Sequence, residues 1–479
     1  MAVPPRSMTP LAVVAVVCLA TIHPGRAEAG GFSVTQFGSR RTGMLANMGA
    51  PDEATALFHN PAGLADQHGW RLHLSSSMVF ADSKFKLVAL DPTRFPEIDA
   101  NEWPVGSDGH YERIIEPLST MGFLPYVGAS RDLGAVNLRD VVISVAVTAP
   151  NVYAGTLPES GPSSYFFIEG YFVVLSTIVG AGWRINDKIS VGANVMYNYM
   201  RLSYAQRYSM ADALRGRDNS GNAALADAAQ LILGDLRLDY TGVDHGFGWT
   251  LSLLYSPTSW LSIGAAYNDA TDARFEGDVE LSSYLQSKEG LDTVVKAFHY
   301  RLPTGLIVEM PIPPFISFGV NLHASRYFEV GADVRLWLYQ VYKQQVLEPI
   351  YDTEEGEAPF TKENLTRDKD YGLSYDVSLG VMVRPLPGRL PALELMAGGG
   401  FDKTPVPAEN FTIDNPALDN WRVSTGVRYR FSCGLRVAAT YIYLGYIERV
   451  ITDSAQWPPL NGRGFGSSHT PRLELEYHF

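Results

Sequence analysis

Several features that would assign this chain to a common class of protein are missing from it. Beyond residue 29 no apolar run approaches the roughly 18 residues that a membrane-spanning helix needs. The whole chain has only two cysteines, Cys18 and Cys433. A formal net charge of -13 argues against a nucleic-acid partner. The mature protein is therefore expected to span no membrane with helices and to bind no DNA or RNA.

The sequence also lacks the motifs that would indicate catalysis or cofactor binding. The ten histidines show no HExxH pattern, the acidic loops lack the EF-hand pattern, and no glycine-rich phosphate loop follows a strand. Ser467, Ser468 and His469 are adjacent, but neighbouring residues of a strand point in opposite directions. We therefore expect no enzyme, no bound metal and no cofactor.

The first 29 residues have the composition of an export signal. Arg6 precedes an apolar stretch from Leu11 to Ile22, and small residues end the segment at Ala27–Ala29. About 12 apolar residues are too few to cross a bilayer, so cleavage before Gly30 is the better prediction. Removal of the segment leaves Cys433 alone and excludes an internal disulfide.

The remaining sequence alternates between apolar and polar residues in many segments. In NWRVSTGVRYRF the residues from Trp421 to Phe431 put apolar and aromatic side chains on one face. Arg422, Arg428 and Arg430 fall on the other face, where a dry sandwich core would leave them without partners. The carboxy-terminal PRLELEYHF has the same pattern, with Glu474 and Glu476 on its polar face. Such strands are typical of a membrane β-barrel whose outer face meets lipid.

The connections between these segments support the same fold. The pattern predicts about fourteen strands near residues 70–82, 119–131, 136–150, 166–185, 188–208, 242–256, 259–281, 299–324, 327–345, 372–386, 391–401, 419–432, 435–450 and 467–479. Tight turns and long loops largely alternate between them, as in up-and-down barrels with long external loops. The fold class is therefore all-β: a transmembrane up-and-down antiparallel barrel of residues 69–479 with long extracellular loops.

Residues 30–68 differ from the barrel sequence. They have little β pattern and read as short helices, with Asn60-Pro61 opening one of them. A solvated tail is the alternative, but the segment has many large apolar residues for that state: Phe32, Phe37, Leu45, Leu57, Phe58 and Leu64. We therefore predict a helical hatch that plugs the lumen.

Three stretches carry a resemblance to a known family. The mature start GGFSVTQFGSRRTGML with HNPAGLA at His59–Ala65, the segment Gly248–Leu281, and Phe401–Phe431 with its DKTPVP sequence all resemble the FadL/TodX family of outer-membrane transporters. The resemblance implies a fourteen-stranded barrel with an amino-terminal hatch, to which Gly30, Phe32, Phe37, Asn60, Pro61 and Ala62 belong. It also implies hydrophobic ligands that land on external loops, enter a pocket above the hatch and leave sideways through a gap at the third strand.

Two external loops fit the landing step. Leu231, Ile232 and Leu236 have helical spacing in one loop, and Leu285, Val294 and Phe298 lie in the next. These six residues are the candidate substrate-binding set. The two helices could instead pack only on each other as a lid, and both roles are compatible.

The third strand departs from the family pattern. The family commonly has a glycine near its inward bend, whereas DVVISVAVTAP, Asp140–Pro150, has none. Either Pro150 and the following NVYAG supply the irregularity, or the gap lies elsewhere.

The sequence thus predicts passive uptake of long-chain fatty acids or other hydrophobic molecules by a monomer in the outer membrane, with no energy-coupling partner. Expected partners are the hydrophobic substrate, outer-membrane lipid, and the insertion machinery that reads a terminal aromatic such as Phe479. The alternative is a non-transporting barrel, either an adhesin or a structural protein.

Overall fold

The computed structural model describes residues 36–118, 121–134, 138–215, 223–297, 300–351, 358–359, 365–386 and 388–479. The predicted signal peptide, Gly30, Phe32 and Phe298 lie outside these residues. The described part is dominated by one antiparallel sheet that closes on itself, since the last strand pairs with the first over registers such as Leu74↔Leu475.

Strands form where the alternating pattern predicts them. Their bounds are β1 Trp70–Leu87, β2 Met121–Leu133, β3 Leu138–Thr156, β4 Glu169–Asn186, β5 Ile189–Tyr208, β6 Leu236–Thr258, β7 Leu261–Asn268, β8 Arg274–Ser283, β9 Tyr300–Arg301, β10 Gly305–Glu309, β11 Phe315–Ser325, β12 Phe328–Trp337, β13 Gln344–Ile350, β14 Ala358–Pro359, β15 Leu365–Asp368, β16 Ser374–Val383, β17 Leu393–Lys403, β18 Asn420–Arg430, β19 Leu435–Tyr446, β20 Arg449–Ile451 and β21 Gly462–His478.

Several of these strands are two halves of one barrel strand. β7 continues into β8, β10 into β11, β12 into β13 and β15 into β16, because each pair borders the same neighbours. Counted this way, the described residues form the predicted barrel of fourteen strands, while β9 pairs only with β14. The predicted bounds differ from the observed ones at the outer ends, where some predicted strands were too short and others too long. β6 begins at Leu236 instead of residue 242 because it stays paired with β5 up to Tyr208↔Leu236.

The two faces of the barrel wall have opposite chemistry. Val427 and Leu475 are exposed on the outside, whereas Arg422, Arg428 and Glu476 are buried inside. Aromatic side chains gather at the outward-facing strand ends, for example Trp70 stacked on Phe479 at a centroid distance of 6.1 Å, as expected for a membrane interface. Arg430, predicted to face the lumen, is exposed instead, because it is the last residue of β18, next to the turn.

Helices are short and lie before the barrel or in its loops. They are α1 Ser39–Gly43, α2 Ala56–His59, α3 Met210–Arg215, α4 Ala223–Leu233 and α5 Lys288–Ala297, with 3-10 helices at Pro61–Asp66, Pro162–Tyr165 and Tyr339–Val341. None of the helices in the described residues combines the length and the apolar character needed to cross a membrane.

Candidate functional site

The lower lumen contains the amino-terminal segment, residues 36–69, which we call the hatch segment. Its basic residues pair with acidic residues of the wall: Arg40 with Glu329 and Arg41 with Asp376, both at 2.5 Å. Its acidic Glu53 pairs in turn with Arg428 at 2.8 Å. These pairs are almost fully buried, and such groups are tolerated only when each charge has a partner. Charged residues of the predicted inner face therefore meet charged residues of the hatch segment in this part of the lumen, beside an apolar cluster that contains Phe37 and Phe58.

Wall side chains also hold the backbone of the hatch segment. Asp333 accepts hydrogen bonds from the N–H groups of Asn47 at 2.7 Å and Met48 at 3.2 Å. Asn194 donates to the carbonyl oxygen of Leu57 at 2.5 Å. Irregular backbone buried in the barrel needs such partners, and here the wall provides them.

Glycines in the wall let the hatch segment approach closely. A Cβ atom on Gly264 would overlap the carbonyl oxygen of Met48, and one on Gly380 would overlap that of Met44. Gly192 is equally close to Pro61 and Ala62. Glycine allows this backbone-to-backbone packing because it lacks a side chain. The small residues on the inner face of the barrel are thus explained by the plug that they contact.

The described members of the predicted hatch set all lie in this plug. Phe37 is fully buried and packs edge-on against Phe58 at 5.3 Å. Asn60 donates to the carbonyl oxygen of Met48 at 2.9 Å, and the N–H of Ala62 donates to Ser252 at 2.9 Å. Pro61 starts the 3-10 helix that contacts β4 and β5. Their position is compatible with a hatch, whose opening stays a prediction.

The upper lumen contains a cavity of about 370 Å³ with mainly apolar walls. Strands β4, β5, β6, β8, β10, β13 and β15 supply one side of it, and α3, α4 and α5 cover it. The lining side chains include Phe172, Leu202, Leu236, Tyr240, Leu281, Leu306, Val308 and Leu347 from the strands and Met210, Leu233, Leu291 and Val295 from the cover. Its size falls within the roughly 300–1,000 Å³ of small-molecule sites.

One corner of this cavity is polar. Arg367 lies there and approaches Gln206 and the hydroxyl of Tyr208, each at 3.4 Å. Asp414 and Asn415 line the same cavity. A guanidinium group can donate several hydrogen bonds to a carboxylate, so the corner can accommodate the head group of an amphiphile whose tail occupies the apolar part.

The six candidate substrate-binding residues divide into three groups. Leu236 lines the cavity, and Val294 is partly buried in the adjoining apolar cluster. Leu231, Ile232 and Leu285 point outwards with 82%, 46% and 57% of their surface exposed. Phe298 lies outside the described residues. The same two loops also supply Leu233, Leu291 and Val295, which line the cavity but are not in the candidate set. The binding role of the candidate residues stays a prediction.

The third barrel strand is irregular at its midpoint. Between Thr148 and Asn151 the register against β4 moves by one residue, so β3 has one extra residue there. The described ladder between β2 and β3 ends at Tyr126↔Thr148. Above it, the N–H of Leu118 donates to the carbonyl oxygen of Thr156 at 2.9 Å. Between those two points the described residues contain no β2–β3 pair.

The extra residue bends β3 at this point. Val152, just beyond it, is only 1% exposed and belongs to one apolar cluster with Val79 and Leu124, which lie on the inner faces of β1 and β2. Beyond the bend β3 therefore still directs Val152 into the lumen. The irregularity therefore occurs at Ala149-Pro150, one of the two places left open by the sequence, without a glycine.

Comparison with known proteins gives matches for both sequence and fold. Residues 142–479 match the model of a family described as outer membrane protein transport protein (OMPP1/FadL/TodX). No curated protein matched the sequence.

Three solved structures illustrate the similarity in fold. A Pseudomonas aeruginosa FadL homologue aligns with a TM-score of 0.76 at 16% identity, covering 94% of this chain and 100% of that one. The Ralstonia pickettii toluene transporter TbuX aligns at 0.62 with 14% identity, covering 94% and 99%. The Pseudomonas putida toluene transporter TodX aligns at 0.62 with 16% identity, covering 95% and 100%. Two of these three neighbours are described as transporters and the third as a FadL homologue.

Proposed function

Because the chain belongs to the OMPP1/FadL/TodX family of outer-membrane transport proteins, we propose that it takes up long-chain fatty acids or similar hydrophobic molecules by passive diffusion across the outer membrane. In this proposal a ligand is captured by the outer loops, occupies the upper cavity and leaves sideways into the membrane. The protein acts as a monomer and uses no energy-coupling partner.

The single observation that carries this proposal is the apolar cavity inside the barrel, whose wall also encloses the hatch segment. An alkyl chain gains about 0.8 kcal/mol for each CH₂ group that leaves water. A water-filled pore offers no such gain, whereas walls such as Leu306, Val308 and Leu347 do. The polar corner, which Arg367, Asp414 and Asn415 line, supports a cargo that has a polar head group at one end, such as the carboxyl group of a fatty acid.

The bend in β3 supports a lateral exit. An apolar molecule released into the periplasm would lose the free energy gained in the cavity, so release into lipid is favourable. Phe172 lines the cavity and pairs with Tyr153, just beyond the bend. The cavity therefore adjoins the part of the wall where β3 leaves its neighbour.

The experiment measures uptake of radiolabelled oleate by a strain that lacks its own transporter. Deleting Pro150 removes the extra residue of β3, and we expect β3 to straighten and uptake to fall roughly tenfold or more, because the exit closes. Deleting Ala324 is the matched control, since it removes the irregularity between His323 and Ser325 near a turn of β11.

The outcomes separate the two candidate functions. Lateral transport is supported if the wild type takes up oleate, the variant without Pro150 does not, and the variant without Ala324 still does. Wild-type protein that is present in the outer membrane but gives no uptake would instead favour the non-transporting barrel. Equal uptake by all three proteins would overturn the proposed exit alone.

A further inference from the structure

Three consecutive short turns on one side of the barrel form a basic edge. They join β11 to β12, β16 to β17 and β18 to β19, and these six strands are neighbours in the sheet. The sequences ASRYF from Ala324, RPLPGRLPAL from Arg384 and RFSCGL from Arg430 contain no aspartate or glutamate. Each of these sequences has one exposed arginine, Arg326, Arg389 or Arg430. We call these three arginines the basic rim.

The basic rim receives no counter-charge from the described residues. Within that part of the chain no carboxylate lies at ion-pair distance from any of its three guanidinium groups, and Arg326 instead lies over the ring of Tyr327, 4.7 Å from the centroid. Arg384 of the second turn shows the contrast, because it pairs with Glu329 and Glu394 at 2.8 Å each. The rim therefore presents positive charge that the described fold does not neutralise.

The other short turns at this end of the barrel differ in charge. The connection between β2 and β3 contains Asp132 and Asp140, and the turn between β4 and β5 places Asp187 beside Lys188. The turn between β6 and β7, SPTSWLS from Ser256, has no charged residue. Uncompensated positive charge is thus concentrated on the side of the barrel opposite β3.

Apolar side chains indicate the height of the basic rim in a bilayer. Tyr327, Leu386, Leu390 and Phe431 flank the arginines and are exposed. Exposed aromatic and apolar groups at strand ends lie at the boundary between hydrocarbon and head groups. The arginines beside them therefore lie at the level of the head groups. Because short turns mark the periplasmic end of such barrels, these head groups belong to the inner leaflet of the outer membrane.

We propose that the basic rim binds the head groups of anionic phospholipids in that leaflet. A guanidinium group can donate two parallel hydrogen bonds to a phosphate group, and it keeps its charge at any physiological pH. Successive turns lie two strands apart, about 10 Å, so each arginine takes a separate lipid. The inference requires the barrel to lie in a membrane, but it does not depend on what the barrel transports.

Cys433 allows the lipids beside the rim to be measured directly. It is exposed in the third turn, close to Arg430 in the chain, and can carry an uncharged fluorophore. The labelled protein is placed in phosphatidylcholine nanodiscs that contain a small, equal fraction of either phosphatidylglycerol or phosphatidylcholine with a nitroxide high on one acyl chain. We expect the phosphatidylglycerol probe to quench roughly threefold more strongly, and high salt to reduce this preference because it screens exposed charges.

Substitutions of the arginines show whether the rim causes the preference. In the triple variant Arg326→Gln, Arg389→Gln, Arg430→Gln we expect the two probes to quench equally. Lys188→Gln is the matched control, because it removes one exposed charge from a turn at the same end but on another side of the barrel. It is expected to keep the wild-type ratio. A triple variant that keeps this ratio, or a Lys188→Gln variant that loses it equally, would overturn the proposal.

The position of the label shows whether the preference is local. Ser259 is exposed in the uncharged turn between β6 and β7, so the fluorophore is moved there with Ser259→Cys in a Cys433→Ser background. We expect equal quenching by the two probes at this position. Equal quenching at Cys433 in the wild type, or the same preference at both positions, would overturn the proposal. Oleate uptake does not enter this measurement, so its outcome and that of the proposed function are independent.

Discussion

The lower and upper halves of the lumen share one barrel wall but have opposite interiors. Below, wall charges such as Glu329, Asp333 and Arg428 bind the hatch segment, and glycines let its backbone touch the wall. Above, strands of the same wall present Leu306, Val308 and Leu347 to an apolar cavity. A polar interior fixes a plug by directional bonds, whereas an apolar interior holds a cargo without fixing its position.

The difference shows how one strand pattern can serve two purposes. The inward positions of a barrel strand need only avoid lipid, so their chemistry is free to follow whatever fills the lumen at that height. β5 illustrates this, since Asn194 bonds the hatch segment while Leu202 and Tyr204 line the cavity.

The largest expected effect comes from breaking the close packing below. In a Gly264→Val, Gly380→Val double variant the new side chains overlap hatch backbone, and each site is expected to cost about 1–3 kcal/mol or more. The hatch segment should leave the lumen, and planar-bilayer recordings should show ion conductance that the wild type lacks. Gly388→Val is the control, because nothing lies within 4 Å of its added Cβ. If the double variant conducts no more ions than the wild type, close packing of the hatch segment is not what closes the lumen.

Removal of one buried charge should give the next largest effect. Arg428→Ala removes the ion-pair partner of Glu53 and leaves Glu394 with Arg384 alone, and breaking a buried pair on one side typically costs about 3–5 kcal/mol. Thermal unfolding in detergent should detect this as a lower midpoint. Arg430→Ala on the same strand is exposed and should change stability by less than about 0.5 kcal/mol. Equal midpoints in the two variants would contradict the assigned pairs.

Ligand binding in the upper cavity should depend on how apolar the cavity wall is, and it should not depend on paired charges. Leu347→Asn puts an amide into the cavity wall and should weaken binding of a fatty acid roughly tenfold, the factor for about 1.4 kcal/mol. The neighbouring Val346→Asn faces the other side of β13 and should leave binding unchanged. Fatty-acid binding is measured for both variants in nanodiscs. If both lose affinity equally, the cavity is not the binding site.

The smallest effect is expected at the outer surface. Leu231→Ser and Leu285→Ser change side chains that are mostly exposed, so stability should stay within about 0.5 kcal/mol of wild type. If these residues capture ligand, uptake should slow about two- to threefold at low substrate concentration and recover at saturation. Val105→Ser, on another loop and 53% exposed, is the control. No slowing at low concentration would remove these two residues from the capture step.

The bend in β3 marks a limit of sequence reasoning. Asp140–Pro150 reads as an ordinary strand, and the absence of glycine left the position of the gap open. The structure places the extra residue at Ala149-Pro150, beside an apolar cluster in which Val152 meets Val79 and Leu124 of two other strands. Contacts between strands have no local signature. For Leu233 and Leu291 helical spacing indicates a shared face, but only the packing of α4 and α5 shows that this face covers the cavity.

The sequence by itself determined the barrel, its fourteen strands and the face that meets lipid, because a period of two residues and the alternation of turns with loops are local properties. Only the tertiary structure decided which inward residues hold the plug, which form the cavity and where the wall bends. Those features arise from side chains hundreds of residues apart, such as Arg40 and Glu329, that meet only when the sheet has closed.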